Sequence, residues 1–153
     1  MDNTYSIRQA IIQDLEGIAQ LFNQYRLFYK QESDLEAAKQ FIFERFEHNE
    51  SIIFIVTENE KLIGFTQLYP SFSSVSLKRL WILNDLYVEE EYRKQGIAQL
   101  LLDAAKEYAL LTKAKGIVLS TAIDNEKARR LYERNGYVRE DAFCEYFLTF
   151  NKT

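Results

Sequence analysis

The segment Asp85-Leu86-Tyr87-Val88-Glu89-Glu90-Glu91-Tyr92-Arg93-Lys94-Gln95-Gly96-Ile97-Ala98 decides how this chain folds. It begins inside an apolar run, residues 77–88, whose composition predicts a strand. A charged turn with a single glycine follows. Beyond the turn, apolar residues recur every three or four positions, which predicts one face of a helix: Ile97, Leu101, Ala104, Tyr108 and Leu111. The segment is therefore a strand that leads through a turn into a helix.

The start of this helix is a candidate anion site. The first four backbone N–H groups of a helix have no partner within it, and the helix dipole adds about half a positive charge there. Gly96 allows the backbone to come close to a ligand, Ala98 is small, and Arg93 and Lys94 add positive charge. A plain strand-to-helix connection is the alternative. Neither a P-loop nor a dinucleotide fingerprint fits, because both need residues that this turn lacks.

The residues before this segment predict a strand and two amphipathic helices. Residues 7–10 form the strand, and Asp14 stands at the N-cap position of the first helix. The second helix begins at Ser33, which with Glu36 three residues later is typical of a capping box. That helix is expected to end at residues 48–50.

An antiparallel hairpin is predicted next. Its arms are residues 51–57 and 62–69, and Gly64 is a candidate bulge in the second arm. Pro70 is expected to end that arm because proline cannot donate to a strand ladder. A serine-rich loop, residues 71–76, then leads to the strand that opens the deciding segment.

The residues after the long helix predict a strand, a helix and final strands. Residues 116–121 form a compact strand, and Asp124 or Asn125 can cap the next helix. That helix stops at Asn135-Gly136, a left-handed cap signal. Final strands are predicted at 137–138 and 143–150. The fold class is α/β mixed, with the antiparallel part first and a βαβ crossover later.

Length and composition indicate one domain, residues 1–153. The chain is 47% apolar and 27% charged, and one core can bury about two-thirds of the unfolded surface at this size. No apolar run approaches the ~20 residues that cross a bilayer, and residues 1–6 lack a signal-peptide pattern. We therefore expect a cytoplasmic protein without a membrane partner.

Charge and residue counts exclude other classes of site. The net charge of −4 argues against nucleic-acid binding, which needs a concentrated basic face, and is compatible with a cationic partner. Cys144 and His48 are the only cysteine and histidine, so no internal disulfide and no metal site are expected. Cys144 stands among aromatic residues and is expected to be buried, whereas His48 is expected at an exposed helix end.

Two motifs resemble those of the GNAT acetyltransferases. Arg93-x-x-Gly96-x-Ala98 is similar to the family's acetyl-CoA pyrophosphate motif, Arg/Gln-x-x-Gly-x-Gly/Ala. Downstream, Asn125-x-x-Ala128-x-x-Leu131-Tyr132-x-x-x-Gly136-Tyr137 is similar to the second GNAT motif. The two motifs occur in the family's order, with a helix and a strand between them. The two predicted helices and the antiparallel strands that precede the first motif also match the family. The resemblance implies the GNAT fold, a mostly antiparallel sheet flanked by helices.

The resemblance also implies where the cosubstrate acetyl-CoA binds. The sheet should splay between the strands at 77–88 and 116–121, and the pantetheine arm should lie in the opening. The backbone of Leu86, Tyr87 and Val88 would pair with the pantetheine amides, and Asn125 would contact the cofactor through its side chain. The pyrophosphate would be cradled by the turn and the first residues of the helix: Arg93, Lys94, Gln95, Gly96, Ile97, Ala98 and Gln99.

Acetyl transfer to an amine needs a base, oxyanion donors and an acid. Free N–H groups near residues 86–88 are candidate oxyanion donors. Tyr132 occupies the position of the family's tyrosine acid, and its reference pKa of ~10 lies above the ~8.5 of a thiol. A packed aromatic is the alternative for Tyr132, since Ala128 lies four residues before it on one helix face.

Asp85 is the candidate base, because it precedes the presumed oxyanion site. The residues Glu89–Glu91 follow closely but are expected to be a solvated loop. The segment 83–88 resembles spermidine/spermine acetyltransferases and related small histone or free-amine acetyltransferases. Those polyamine enzymes carry Glu where this chain has Asn84, so Asp85, or a water chain to another carboxylate, would take the proton.

The acceptor is expected to be a small amine or a lysine-bearing peptide. It would enter over the first two helices and the loop 71–76, where aromatic and acidic side chains suit an amine cation: Tyr25, Phe28, Tyr29, Glu32, Asp34 and Glu36. A core-facing helix with solvated acids explains the same residues.

A non-catalytic acyl-CoA-binding module is the alternative function, and a nucleotide-binding regulator is a further one. The aromatic C-terminal stretch suggests a homodimer, although burial within the monomer would also explain it.

Overall fold

The computed structural model describes residues 5–151, which divide at Ser120/Thr121 into two compact units. The first unit contains a five-stranded sheet and three α-helices, and the second contains one α-helix. Their elements in chain order are β1 (Tyr5–Gln9), α1 (Leu15–Phe28), α2 (Leu35–Glu47), β2 (Ile52–Glu58), β3 (Lys61–Ser73), β4 (Lys78–Val88), α3 (Ile97–Leu111), β5 (Gly116–Val118) and α4 (Glu126–Arg134). The mixed α/β class and the order of the first nine predicted elements are confirmed. No helix among residues 5–151 is long and apolar enough to cross a membrane.

The sheet of the first unit has the order β1-β2-β3-β4-β5. The first four strands pair antiparallel, and β5 pairs parallel to β4 after the α3 crossover. Adjacent residues of a strand face opposite sides of a sheet, so Ile55 packs with α1 and α2 whereas Val56 packs with α3. Each helical layer therefore covers one face of the sheet.

Two helix caps differ from their predicted form. The N-cap of α2 is Asp34, whose carboxylate accepts the Ala37 N–H at 3.0 Å, and not Ser33. Ser33 instead accepts a hydrogen bond from the Asn23 side chain at 3.0 Å, which fixes the α1–α2 connection. Asp14 is the N-cap of α1 by position, but its carboxylate accepts from the Ile11 N–H and pairs with the Arg8 guanidinium. Tertiary partners thus compete with local capping.

The prediction that Pro70 ends the hairpin arm is wrong. β3 continues to Ser73, and Pro70 lies opposite Trp81 of β4. The pairing of β3 with β2 ends at Leu68, so Pro70 lies where only one neighbouring strand remains. Proline is tolerated at such a sheet edge because its missing N–H need not serve a second ladder.

Gly64 lies beside a bulge rather than in it. The register between β2 and β3 shifts so that Ile63 is the extra residue. At Gly64 a Cβ would approach the Tyr87 carbonyl oxygen to 3.1 Å and the Ile97 side chain to 3.2 Å. The glycine therefore allows β3 to lie close to β4 and α3.

The second unit confirms the α4 prediction but not the final strands. The Asn125 carboxamide accepts the Ala128 N–H at 3.1 Å, and α4 ends before Gly136, which has a left-handed φ of 90°. Residues 137–138 and 143–150 form no strand, because the alternation that suits a strand has no partner ladder within residues 121–151. Cys144, expected to be buried, lies on this segment and is exposed.

Candidate active site

The sheet opens along the second half of β4. β4 pairs with β5 only over Leu80–Ile82. From Leu83 to Val88 it has β3 as its one strand partner within the described part of the chain. Main-chain groups of Leu86, Tyr87 and Val88 that point away from β3 are therefore outside any strand ladder. This is the splay expected between these two strands.

A bulge in β4 precedes the opening. Gln67 lies opposite Asp85 and Leu68 opposite Leu83, which leaves Asn84 as the extra residue. Bulges redirect side chains and are frequent beside active sites. Asn84 is exposed, whereas Asp85 is buried, with 4% of its surface accessible. The extra residue thus directs a carboxylate into the interior at the point where the sheet opens.

The Asp85 carboxylate is held by hydrogen bonds from three side chains. The Gln67 amide donates to one oxygen at 2.8 Å and the Asn84 amide to the other at 3.1 Å. Tyr25 on α1 is the third donor. Burial raises the pKa of Asp85, and the three hydrogen bonds oppose that rise without cancelling it. A buried carboxyl with a raised pKa is a candidate proton acceptor.

The role of Gln67 was not predicted from the sequence. Its side chain is fully buried, and its Oε1 has no hydrogen-bond partner among the described residues. Nearby, burial and the Asp85 charge raise the pKa of Tyr69 to about 12, so that phenol keeps its proton. A glutamine inside the apolar run 62–69 was the available signal, because buried polar side chains are uncommon in strands.

We expect Asp85→Asn to raise the melting temperature at pH 8 by several degrees. A raised pKa means that the native carboxyl binds its proton more tightly than the unfolded chain does. The free energy of unfolding therefore falls as pH rises from the usual Asp value of 3.8 through the raised one. The isosteric amide removes this penalty and can still accept from Gln67. Calorimetric melts from pH 4 to 8 should show that the melting temperatures of the two proteins differ more as the pH rises. A difference that stays constant over this pH range would contradict the burial argument.

The turn before α3 has the geometry of an anion-binding nest. Lys94 and Gly96 both have left-handed φ angles, 64° and 83°, and Gly96 leads directly into the right-handed helix α3. A left-handed residue next to a right-handed one points successive N–H groups into one concavity. Gly96 is the N-cap of α3 and supplies no side-chain cap. A Cβ at Gly96 would meet no atom of the described chain within 4 Å, so the space above the turn is open. Backbone donors and open space are what a diphosphate requires.

Arg93 contacts β4 and α1. Its Nε–H donates to the Val88 carbonyl oxygen at 2.9 Å, and its guanidinium lies over the rings of Phe28 and Tyr87 at 5.4 and 5.5 Å. These contacts fix the end of β4 relative to the turn. They also give the Val88 carbonyl oxygen a protein partner, so this oxygen is less available to a ligand.

The other predicted turn residues differ in what their side chains contact. Ile97 is buried in the core beneath α3, and Ala98 packs against that core. The Gln95 side chain donates to the Glu91 carbonyl oxygen and accepts from the Tyr5 hydroxyl. The Gln99 amide donates to Asp103 at 2.8 Å. Ile97 and Ala98 can therefore serve a ligand only through their backbone.

The second unit carries the other two predicted site residues. Asn125 uses its side-chain oxygen to cap α4, which leaves its amide nitrogen as the chemically suitable donor for a ligand. Tyr132, one helical turn after Ala128, packs edge-on against Tyr137 with ring centroids 5.9 Å apart. Burial and the neighbouring Tyr132 raise the pKa of Tyr137 to about 12.

The predicted acceptor surface is aromatic at its inner end. Tyr25 packs edge-on against Phe65, Tyr87 and Tyr29. The Asp34 carboxylate of this surface caps α2, so it already has a partner in the first turn of that helix. Within residues 5–151 no three His, Cys, Asp or Glu side chains are placed to hold a metal ion.

Comparison with known proteins decides the family. The profile of the Acetyltransferase (GNAT) family matches residues 15–137, which is most of the chain. This chain belongs to the GNAT family. It is 53% identical over 143 residues to an uncharacterized N-acetyltransferase, YhfO, of Bacillus subtilis strain 168, with 94% of this chain and 96% of that protein covered. The chain is accordingly a GNAT N-acetyltransferase, and the predicted family and activity are confirmed at that level.

Solved structures agree with the fold. The crystal structure of a probable acetyltransferase superposes with a TM-score of 0.91 at 43% identity, covering 97% of this chain and 99% of that one. An aminoglycoside N-acetyltransferase, AAC(6')-Iy, in complex with CoA has the same fold at 17% identity, with a TM-score of 0.81 and 97% of both chains covered. GNAT enzymes use acyl-CoA, and the nest at Lys94–Gly96 with the open β4 edge fits its diphosphate and pantetheine arm.

Proposed function

We propose that this GNAT enzyme transfers an acetyl group from acetyl-CoA to a primary amine by direct attack in a ternary complex. The observation that carries the proposal is the bulge at Asn84. It buries Asp85 immediately before Leu86–Val88, where β4 has lost its second strand partner. The order along this strand and turn is thus a proposed proton acceptor, then proposed oxyanion donors, then the Lys94–Gly96 nest.

Backbone groups are proposed to hold the cosubstrate. The N–H groups of the nest and the first turn of α3 would bind its diphosphate, and Lys94 adds an exposed positive charge. Leu86–Val88 would pair with the pantetheine amides as an added strand does at a sheet edge. Asn125 is proposed as a side-chain contact, on the basis of its place in the second motif. When bound, acetyl-CoA supplies an activated thioester carbonyl.

Asp85 is proposed to take the proton from the attacking amine, directly or through a water. The amine nitrogen then forms the new C–N bond as the C–S bond of the thioester breaks. Free N–H groups along residues 86–88 would stabilise the oxyanion. Tyr132 is proposed to give its hydroxyl proton to the departing thiolate, a role that rests on its place in the second motif. The buried hydrogen bond from Gln67 and the partly buried one from Asn84 would keep the Asp85 carboxylate in one orientation.

A thiol-release assay over a set of amines tests this proposal. The set contains a polyamine, free amino acids, an aminoglycoside and peptides with either an N-terminal or a lysine amine. Exposed Cys144 reacts once with the thiol reagent and is subtracted as an initial burst. We expect sustained CoA release with at least one amine class. Asp85→Asn should lower kcat about 100-fold or more and leave acetyl-CoA affinity unchanged.

One result would overturn the proposed function, and a second would overturn only the proposed role of Asp85. Binding of acetyl-CoA without turnover on any amine would favour a non-catalytic acyl-CoA-binding module. Full activity of Asp85→Asn would remove Asp85 from the mechanism while leaving acetyl transfer intact. The pH profile separates a base from a structural group, because loss of a base removes the activity rise at the pH where its carboxyl ionises.

A further inference from the structure

The Asp85 carboxylate has a hydrogen-bond donor on each of its oxygens. Oδ2 accepts from Gln67 Nε2 at 2.8 Å, Oδ1 accepts from Asn84 Nδ2 at 3.1 Å, and Tyr25 is a third donor. The main chain is fixed as well, because the Thr66 hydroxyl donates to the Asp85 carbonyl oxygen at 2.7 Å. This arrangement suits the ionised carboxylate, which can only accept hydrogen bonds.

Protonation of this carboxylate changes what its partners must do. A carboxylic acid carries one O–H donor, and two donors that face each other form no hydrogen bond. The partner of the oxygen that takes the proton must therefore turn or leave. The Tyr25 hydroxyl can either donate or accept, so the choice between Oδ1 and Oδ2 depends on Gln67 and Asn84.

Gln67 holds Oδ2 from within the core. Its side chain is fully buried, and its Oε1 already has no hydrogen-bond partner among the described residues. If Nε2 also lost Asp85, the whole carboxamide would be buried without a partner in the described chain, and unpaired buried polar groups are costly. A half-turn of the amide would need space in a close-packed interior. We therefore expect Gln67 to keep its contact with Oδ2.

Asn84 holds Oδ1 from the solvent side. It is the extra residue of the β4 bulge, it is exposed, and its hydrogen bond to Asp85 is only partly buried. Water can replace Asp85 as the acceptor for this amide, so breaking the hydrogen bond costs little. Oδ1 is therefore the oxygen whose partner can leave.

We propose that Asn84 is a positioning residue that occupies Oδ1 of Asp85 in the free enzyme and releases it to the acceptor amine. An amine N–H donates to a carboxylate oxygen as the Asn84 amide does, so the two compete for Oδ1. One proton then passes from the nitrogen to Oδ1, while the nitrogen lone pair forms the C–N bond and the thiolate leaves with the C–S electron pair. Gln67 continues to donate to Oδ2, which becomes the carbonyl oxygen of the acid. This step rests on the proposed role of Asp85 as the base.

Steady-state kinetics of Asn84→Ala test the competition. The probe is the amine with the highest turnover in the thiol-release assay. Removal of the competing amide should lower the KM for this amine about three- to tenfold, and kcat should change less than this KM does. The KM for acetyl-CoA is the internal control. An amine KM that is unchanged or raised would overturn the proposal, because Asn84 would then not compete with the amine.

Gln67→Met is the matched control, since it removes the other carboxamide that donates to Asp85. Methionine has a similar length and fills the same space in the core. Loss of the buried donor should lower kcat about tenfold or more and leave the amine KM within about twofold of wild type. Equal effects of the two substitutions would contradict the different roles of the two oxygens. Thermal melts check folding, and Asn84→Ser is read by the same criteria if Asn84→Ala is unfolded.

Nuclear magnetic resonance of the free enzyme distinguishes the two oxygens without any amine. The scalar coupling across each hydrogen bond, from the amide nitrogen to Asp85 Cγ, is followed as the pH is lowered through the titration of Asp85. Two nearby groups keep their protons meanwhile. Burial and the Asp85 charge raise the pKa of Tyr69 on β3 to about 12, and Arg45 on α2, whose charge opposes that rise, stays protonated.

We expect the Asn84 coupling to disappear on protonation of Asp85 and the Gln67 coupling to persist. Loss of the Gln67 coupling, or retention of the Asn84 coupling, would overturn the proposal. This readout needs no turnover, so it separates failure of the inference from failure of the proposed function.

Discussion

Replacing Tyr132 with phenylalanine is expected to lower kcat about 100- to 10,000-fold while acetyl-CoA affinity stays within about twofold of the wild type. The substitution removes only the hydroxyl that we propose as the proton donor to the departing thiolate. The ring remains, so its edge-on contact with Tyr137 and the packing of α4 should persist. Stopped-flow or steady-state CoA release and a separate binding titration measure the two quantities.

Tyr137→Phe is the matched control for Tyr132→Phe. The two rings contact each other in the second unit, and each substitution removes one phenolic hydroxyl. The Tyr137 hydroxyl has no proposed role in proton transfer, and its pKa of about 12 keeps it protonated. Turnover should therefore remain close to wild type. An equal loss in both variants would point to packing, and unchanged turnover in Tyr132→Phe would remove that residue from the mechanism.

Gly96→Ala is expected to weaken CoA binding about tenfold or more, equivalent to about 1.4 kcal/mol. A Cβ at this position meets no described protein atom within 4 Å, so the methyl group would project into the open space where the diphosphate is proposed to lie. The φ of 83° also disfavours any side chain, which costs about 1–2 kcal/mol of folding stability. Calorimetric titration measures the affinity, and thermal melts measure the stability.

Gly136→Ala separates backbone strain from ligand contact. Gly136 also has a left-handed φ, 90°, and open space around its Cβ position, but it follows α4 at that helix's C-terminal end. Both variants should lose similar stability, whereas only Gly96→Ala should lose CoA affinity. Equal affinity in the two variants would show that the nest is not the diphosphate site.

Helix positions could be predicted because apolar periodicity and terminal residues are local features. The starts of α1, α3 and α4 lie within one residue of their predicted positions. Features that depend on distant residues were not predictable in the same way. Pro70 is tolerated because the pairing of β3 with β2 stops at Leu68, and the α2 cap moves to Asp34 because Asn23 binds Ser33. Neither contact is visible in local sequence.

The C-terminal strands illustrate the same limit. Alternating aromatic residues predict a strand at 143–150, and the composition does suit one. A strand also needs a partner, which local sequence cannot supply, and the second unit contains none among its described residues. The exposure of Cys144 follows from the same cause, because burial was expected from its aromatic neighbours.

The candidate site was only partly predictable. Motif spacing indicated the β4–α3 turn, and in the structure Asp85 lies immediately before the stretch of β4 that has lost its second strand partner. The bulge at Asn84 depends on the register with β3, which local sequence does not specify. Without that register, the hydrogen bond from Gln67 to Asp85 could not be inferred.

Calorimetric titration of the wild-type protein with CoA and with pantetheine tests whether the turn at Gly96 binds the diphosphate of the cosubstrate. We expect one CoA bound per chain, and an affinity for pantetheine at least about 100-fold weaker, because pantetheine lacks the diphosphate that the backbone amides around Gly96 are proposed to bind. Absence of heat with both CoA and acetyl-CoA, or equal affinity for CoA and pantetheine, would contradict it.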